Sequence, residues 1–563
     1  MSYKAADKPA HKPAHETMQL SAAGIAAGKP MYKPAHDSYI LALDAGTSSE
    51  RALLFDHEAN LVASSQHSIK QIYPKPAWVE QDPMELLSTQ LAVMTQVQFK
   101  SGIHSDRIAA LGITNQRETT IIWDKRNGKP LYNAIVWQCR RTAPQIEELK
   151  ASRPDIIDLI ADKTGLILDP YFSASKIKWI LDEIPEARSL MRQGHLAFGT
   201  VDSWLVYQLT KGQVHATDYT NASRTMLFNI HDLSWDQELL DLFEIDASIL
   251  PAVQASSSYF GETSSEVSSR AIPIWACAGD QQASAFGHGC TMPKSVKNTY
   301  GTGCFIVMNT GGRPIKSKNG LITTIAIAED GGLAYALEGS VFIGGAVMQW
   351  LRDELNLIDS VEESAALAQS LESNEGVYLV PAFTGLGAPF WNPEARGLIC
   401  GLTRGSTKAH IVRAALESMA YQSADILDAM QADYGEAFLS PTSGEAGRLS
   451  SVPAAASGAA DTSDTAASSF ARLSVDGGAS FNEFCMQFQA DISNMQVERP
   501  ELIETTALGA AYLAGLGCGY WSDAQELQAL RRISQSFTPQ LTPRERSILR
   551  AQWRNALKKA IMS

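Results

Sequence analysis

Four short glycine-rich turns each follow or link an apolar run: LDAGTSS at 43–49, AGDQ at 278–281, YGTG at 300–303 and VDGG at 475–478. Backbone N–H groups in such turns form concave nests for oxyanions, and glycine lets a phosphate oxygen approach the main chain. Any one of them alone is a hairpin turn. Their joint occurrence, with hydroxyls beside glycine in two and acids beside glycine in three, points to a nucleotide phosphate with a divalent metal. The other phosphate-binding patterns, GxxxxGK[ST] and a GxGxxG opening a helix, are missing. Phosphoryl transfer also needs a carboxylate that takes the proton of the attacking hydroxyl. PIWACA reads as a buried strand, Gly279 frees the backbone, and Asp280 stands at the strand's carboxyl end, where open α/β sheets bind ligands. Asp280 therefore fits the base, and Asp44 fits a position near the metal. On the letters of WACAGDQQASAFG alone, a polar turn is the plainer reading.

Three further stretches compete to bind the acceptor. NQRETT (115–120) puts a cation beside an anion at the end of a strand. Arg117 donates several hydrogen bonds and Glu118 accepts them, which suits adjacent hydroxyls that do both; a surface ion pair is the alternative. NAIVWQCRR (133–141) and LDPYFSASK (168–176) supply Trp137 and Tyr171, whose flat faces suit the C–H side of a polyol. Taken singly, each ring is more often plain core.

Elements must hold these groups in place. From Ser38, SYILALDAGTSSERALLFDHEANLVASSQ reads as an antiparallel meander of three strands. A helix is expected from Pro83 to about Lys100, capped by Asp82. RIAALGITN is another strand, and TTIIWDKRNGKPLYNAIVW a hairpin turning at Asn127-Gly128. After the GDQQ stretch, VKNTYGTGCFIVMNTG repeats the strand, Gly-Thr turn, strand layout of the first meander, which predicts two related α/β domains with Asp280 near their junction. The segment from Pro543 to Met562 reads as a terminal helix. Two stretches stand outside this order. Residues 1–37 carry KPAH three times and no apolar face to bury, and 437–470 is dominated by small residues; both are expected to be disordered.

Composition narrows the field. With 563 residues the chain exceeds one core. A formal net charge of -14 repels nucleic acid and anionic membrane surfaces on average. Seven cysteines without a CxxC pair argue against a disulfide framework or structural zinc and fit a reducing cytosol. Apolar runs fall short of the ~18 residues that span a bilayer, so membrane insertion is not expected. A presequence rich in Arg is also missing from the first 37 residues.

In combination these motifs resemble the glycerol kinases of the FGGY carbohydrate kinase family, from about Ser38 to the end except for 437–470. The resemblance runs through GITNQRETTIIWDKRNGKPLYNAIVWQCRRTA, HATDYTNASRTMLFNIHDLSWD, KNTYGTGCF, VPAFTGLGAPFW and ALGAAYLAGL. The two broad family signatures look present in YFSASKIKWILDE and GLICGLTRGSTKAHIVRAALE. It implies two actin- and hexokinase-like (ribonuclease H-like) domains with an interdomain cleft, 38–288 holding acceptor and base and 289–563 holding the nucleotide. It implies Mg2+-dependent transfer of the γ-phosphate of ATP to glycerol, giving sn-glycerol 3-phosphate, the first step of glycerol catabolism. A cytoplasmic homodimer or homotetramer is implied as well. By the same resemblance Asp280 is the general base, and Arg117, Glu118, Trp137, Tyr171, Asp280 and Gln281 line the glycerol site. Thr47, Ser48, Arg51, Thr302, Gly345, Gln349, Gly478 and Asn482 meet the nucleotide, and Asp44 and Asp280 the metal. Two departures stand out. The first turn reads DAGTSSER where the family commonly has DQGTTSSR, so Ala45 and Glu50 are altered while Asp44, Gly46, Thr47 and Arg51 remain. SSEVSS (264–269) replaces the Gly-rich loop of relatives regulated by fructose 1,6-bisphosphate, so inhibition by that sugar phosphate is not assumed. Rival readings are a kinase of the same family for another polyol or a pentulose, and an actin-type nucleotide-dependent binding module without an acceptor pocket.

Overall fold

Tyr39–Ala45 (β1) and Ser49–Phe55 (β2) form a tight hairpin, and Leu61–Ser68 (β3) continues it antiparallel at the sheet's edge. Ile108–Asn115 (β4) adds parallel to β1, and Ile274–Gly279 (β5) parallel to β4, giving the order β5-β4-β1-β2-β3. The computed structural model describes residues 35, 37–439, 470 and 472–562. Most of the KPAH-bearing extension and most of 437–470 therefore lie outside the described residues.

Strand periodicity sends alternate side chains to opposite faces of this sheet. Leu41, Leu43, Ala52 and Leu54 meet Leu86, Val93, Met94 and Val97 of the helix Pro83–Ser101 (α1). The Asp82 carboxylate caps α1 at the backbone N–H of Met84, and Gly102 closes it in the left-handed region at φ 68°. Residues 121–250 extend the same half with a second core, where the helix Ser173–Glu183 (α2) packs through Phe172, Ile177 and Ile180 against Ile122, Phe198 and Leu240.

Asp280–Gly287 (α3) leads into a second sheet that repeats the first. Val296–Tyr300 (β6) and Cys304–Gly311 (β7) form its hairpin, Ile322–Ile327 (β8) follows, and Leu333–Val341 (β9) pairs antiparallel with both β7 and β8. Arg472–Asp476 (β10) runs parallel to β6, Gln496–Pro500 (β11) parallel to β10, and Ile533–Phe537 (β12) antiparallel at the edge. The order β9-β7-β6-β10-β11 thus has the strand directions of β3-β2-β1-β4-β5. One face is covered by the helices Lys408–Leu439 (α5) and Glu483–Ser493 (α6); Ala346–Asp353 (α4) lies beside the hairpin. The terminal helix Pro543–Met562 (α8) stacks Trp553 on Tyr421 of α5 with ring centroids 5.0 Å apart.

The halves are joined by an exchange of helices. Thr505–Cys518 (α7) comes after β11, yet Ala507, Ala510, Ala511 and Ala514 cover Ile40, Ala42, Ala110, Ala276 and Ala278 of the first sheet. α3 crosses α7 backbone to backbone. A Cβ on Gly509 would lie 1.8 Å from the Ala283 carbonyl oxygen, and one on Gly287 would lie 2.1 Å from that of Thr505. The small residues of ASAFG therefore serve close packing at the junction. Among the described residues no helix is long and apolar enough to cross a membrane.

Candidate active site

Asp280 begins α3 directly where β5 ends. Gly279 is required there, because a Cβ would lie 2.7 Å from Cδ of Arg117. The Asp280 side chain keeps 31% exposure. Its Oδ1 accepts from the Gln281 backbone N–H at 2.8 Å and lies 3.1 Å from Arg117 Nε, while Oδ2 accepts from Gln281 Nε2 at 3.1 Å.

Arg117 and Glu118 follow β4 at the same edge. Glu118 takes φ 61°, a left-handed conformation costing about 1–3 kcal/mol and typical of residues held for function. Both side chains turn inward. Arg117 forks onto Glu338 of β9, Nη1 to Oε2 at 2.6 Å and Nη2 to Oε1 at 3.0 Å, and also donates to Gln282 Oε1 at 3.2 Å. Arg224 donates to Glu118 Oε1 at 2.5 Å and lies 3.1 Å from Glu338 Oε1. The four residues are buried and alternate in sign. Burial raises the Glu338 carboxyl, but the Arg117 and Arg224 guanidiniums outweigh it and hold it at about 2.

Aromatic rings close the corner. Trp137 meets Tyr171 edge to face at 5.5 Å and Phe305 of β7 at 6.3 Å, and its indole N–H donates to Thr47 Oγ1 at 3.0 Å. Arg224 lies over the Tyr171 ring at 5.4 Å. Burial, then the Glu118 charge, push the Tyr171 hydroxyl well above its usual range, so it stays a neutral donor. One corner thus combines a partly exposed carboxylate, a guanidinium and flat apolar walls. It can hold a small polyhydroxyl group while a proton leaves it.

The residues read as nucleotide ligands fall into two groups. In the first hairpin, the Thr47 carbonyl accepts from Gln81 Nε2 at 2.6 Å and Gln71 Nε2 at 3.1 Å, which fixes the turn around Ser48. Arg51 pairs with Glu504 at 2.5 Å. In the second, the Thr302 carbonyl accepts from the N–H of Gly344 and Ala346 at 2.8 and 3.2 Å. Gly345 must be glycine, since a Cβ would approach the Gly301 oxygen to 2.7 Å. Gln349 lies on α4, and Gly478 opens the turn after β10. Asn482 is engaged within the protein: it caps α6 at the Cys485 N–H at 2.9 Å and donates to Ser364 Oγ at 3.0 Å.

Asp44 is the residue expected near a metal. Burial raises its carboxyl to about 6; Arg51 opposes this, and the Glu504 and Asp280 charges add to it. No hydrogen bond among the described residues occupies its oxygens. A buried carboxylate left open in this way fits a hard oxygen-seeking cation. Among the described residues no group of three His, Cys, Asp or Glu is placed to hold a metal ion, and Mg2+ bound by one or two carboxylates plus phosphates needs none.

Arg117, Glu118, Trp137, Tyr171, Asp280 and Gln281 are therefore brought together. Sequence reasoning missed Glu338, Arg224, Phe305 and Lys297. For Glu338 and Lys297 the available signal was a charge inside a strand, in ALEGSV and VKNTY, because a buried charge must have a partner.

Residues 39–287 match the N-terminal domain, and residues 296–518 the C-terminal domain, of the FGGY family of carbohydrate kinases. The chain is 52% identical to a glycerol kinase of Shewanella amazonensis over 93% of its own length and 99% of the relative's. It is 51% identical to glycerol kinase 1 of Clostridium tetani over 93% and 98%. The solved structure of Plasmodium falciparum glycerol kinase with ADP superposes with a TM-score of 0.81 at 36% identity, covering 93% of this chain and 98% of that one. A xylulose kinase from Lactobacillus acidophilus, at 21% identity over 92% and 97%, shares the fold with a TM-score of 0.77.

Proposed function

Since the chain belongs to the FGGY family of carbohydrate kinases, we infer that it transfers the γ-phosphate of ATP to glycerol and releases sn-glycerol 3-phosphate and ADP. The observation that carries the choice of acceptor is the corner where Arg117 Nε stands 3.1 Å from Asp280 and the same buried cluster reaches the Trp137–Tyr171 pair through Arg224. Near full-length identity to glycerol kinases supports the same choice.

Glycerol lies with its C–H side on Trp137 and its hydroxyls toward Arg117, Glu118, Tyr171 and Gln281. Asp280 accepts the proton of the terminal hydroxyl as its oxygen bonds to the γ-phosphorus and the bond to ADP breaks. Arg117 holds Asp280 through Nε while Glu338 holds Arg117, so the base cannot swing away. The hairpins at Thr47–Ser48 and Thr302 offer N–H groups to the phosphates, with Arg51, Gly345, Gln349, Gly478 and Asn482 around the nucleotide; Asn482 must exchange an existing partner to reach it. Mg2+ belongs to this reading: Asp44 and Asp280 would hold it, and bound there it supplies neutralisation of phosphate charge. A cytoplasmic homodimer or homotetramer completes the reading, resting on the family resemblance, and sedimentation checks the assembly.

Coupled ADP release with glycerol against a panel of polyols and pentuloses tests the acceptor. Glycerol is expected to be the preferred substrate. Turnover with a pentulose and none with glycerol would sink the assignment.

A further inference from the structure

Lys297 is fully buried in the middle of β6, a strand otherwise made to face a core. Strand alternation explains its direction. Val296 and Tyr300 enter the apolar core under α5, so Lys297 and Thr299 project from the other face, toward α3. There the ammonium donates to Gln281 Oε1 and, at 2.8 Å, to Thr299 Oγ1. Burial lowers its pKa to about 8, and the Asp476 and Asp280 charges oppose the shift, so it remains a cation at neutral pH.

The consequence lies in the amide of Gln281. A glutamine side chain can be turned over with almost no change of shape, exchanging its oxygen and its NH2 group. An ammonium has only donors, so Lys297 can bond the oxygen and never the NH2. With the oxygen so held, the NH2 must face the other way, where it donates to Asp280 Oδ2 at 3.1 Å. The reverse orientation would set donor against donor at Lys297 and an oxygen against the Asp280 carboxylate. The cation is also favoured by the charge of Asp476 in the second half. Asp476, at the end of β10, lies in the same buried cluster with Ser284 Oγ at 2.9 Å and His288 Nε2 at 3.2 Å.

We propose that Lys297 is a positioning residue for the transfer step, acting on Asp280 through the side-chain amide of Gln281. The proposal rests on the reading of Asp280 as the base. It gives the second half of the chain a direct hand in orienting a carboxylate that the first half carries. Lys297 touches neither phosphate nor glycerol in this scheme, so its removal acts on kcat and leaves ATP affinity alone.

The test is a double-variant cycle in the full chain with glycerol and MgATP, using Lys297→Met, Gln281→Met and the pair, with kcat, both KM values and the melting temperature measured for each. Lys297→Met is expected to lower kcat by about 10²-fold, the size of effect that misplacing a reacting group produces, with KM for ATP within twofold. The pair is expected to be no slower than the worse single variant, because both break the same link. Effects on kcat that multiply, an unchanged kcat in Lys297→Met, or a rise in KM for ATP in place of the kcat loss each overturn the proposal. Should Lys297→Met not fold, Gln281→Glu decides. It keeps the lysine paired and turns an oxygen toward Asp280, so a kcat loss of about tenfold or more at unchanged melting temperature supports the amide link, and a retained kcat overturns it. An unaltered chain without glycerol-dependent turnover overturns the function as well; turnover with intact kcat in the variants overturns only the role of Lys297.

Discussion

The two glycine-turn hairpins share a backbone and differ in what they carry. In the first, Asp44 pairs across to Arg51 and sideways to Thr114. In the second, the same positions are Thr299, Phe305 and Asp476. Both turns are rich in glycine, so the backbone layout was duplicated with the fold. The side chains divide the remaining work. The first hairpin keeps an acid and a cation, suited to a metal and a nucleotide. The second replaces them with a hydroxyl and a ring, and the ring, Phe305, reaches the acceptor corner at Trp137. Its acid has moved one strand over to Asp476, held low because the neighbouring His288 and Lys297 outweigh burial. The third strands differ too. β3 is a solvent edge, whereas its counterpart β9 is covered by β8, and only the covered strand can bury a charge such as Glu338.

The largest expected effect tests where the chemistry sits. Asp280→Asn should lower kcat by about 10²- to 10⁴-fold with the melting temperature unchanged; an active variant would place the base elsewhere. Next comes the contrast between the hairpins. Asp44→Asn should cost about 10²-fold in kcat and raise the Mg2+ concentration needed for half-maximal rate, while Thr299→Ser should do neither. Equal losses in both would mean that the second hairpin also bears a metal. Glu338→Gln leaves Arg117 with a weaker partner, so KM for glycerol should rise about tenfold, a change of about 1.4 kcal/mol, with KM for ATP steady. A rise in both would mean that β9 serves the whole cleft.

The smallest effect concerns Glu50, which faces Ala45 just as Cys304 faces Tyr300. Both sites are buried and both groups are shifted toward their neutral forms: burial and the Asp44 charge push Glu50 well above its usual range, and burial pushes the Cys304 thiol up to about 12. Among the described residues neither oxygen of Glu50 has a hydrogen-bond partner. A carboxyl whose folded pKa is raised holds its proton more tightly folded than unfolded, so stability falls as pH rises from the unfolded value, about 4.5, toward the folded one. Glu50→Gln should therefore raise the melting temperature more at pH 8 than at pH 5. An equal gain at both would show that Glu50 is charged throughout.

Much of this was legible in the letters because the signals are local. Asp82 before Pro83 gives a cap, LDAGTSS and YGTG give turns between strands, and PIWACAG ending in Asp280 gives a carboxylate at a strand terminus. Even the repeat of the meander could be read, since strand, turn and strand recur in the same order. Glu338 and Lys297 could not be placed, because their meaning lies in partners far along the chain: Arg117 precedes Glu338 by 221 residues, and no periodicity encodes that pairing. In ALEGSV the acid interrupts an apolar run, and only the fold sets a guanidinium opposite it. Asn482 shows the converse, since its cap on α6 is local and leaves its partners beyond the helix unread.

The exchange of helices between the halves also bears on the order in which the protein can be made. The inner face of the first sheet, with Ile40, Ala42, Ala110, Ala276 and Ala278, is covered by residues from 507 onward. A ribosome that has delivered everything through α3 has still not supplied that cover. The nascent first half must wait with an apolar face exposed, and severing the chain between the sheets would leave a fragment without its lid.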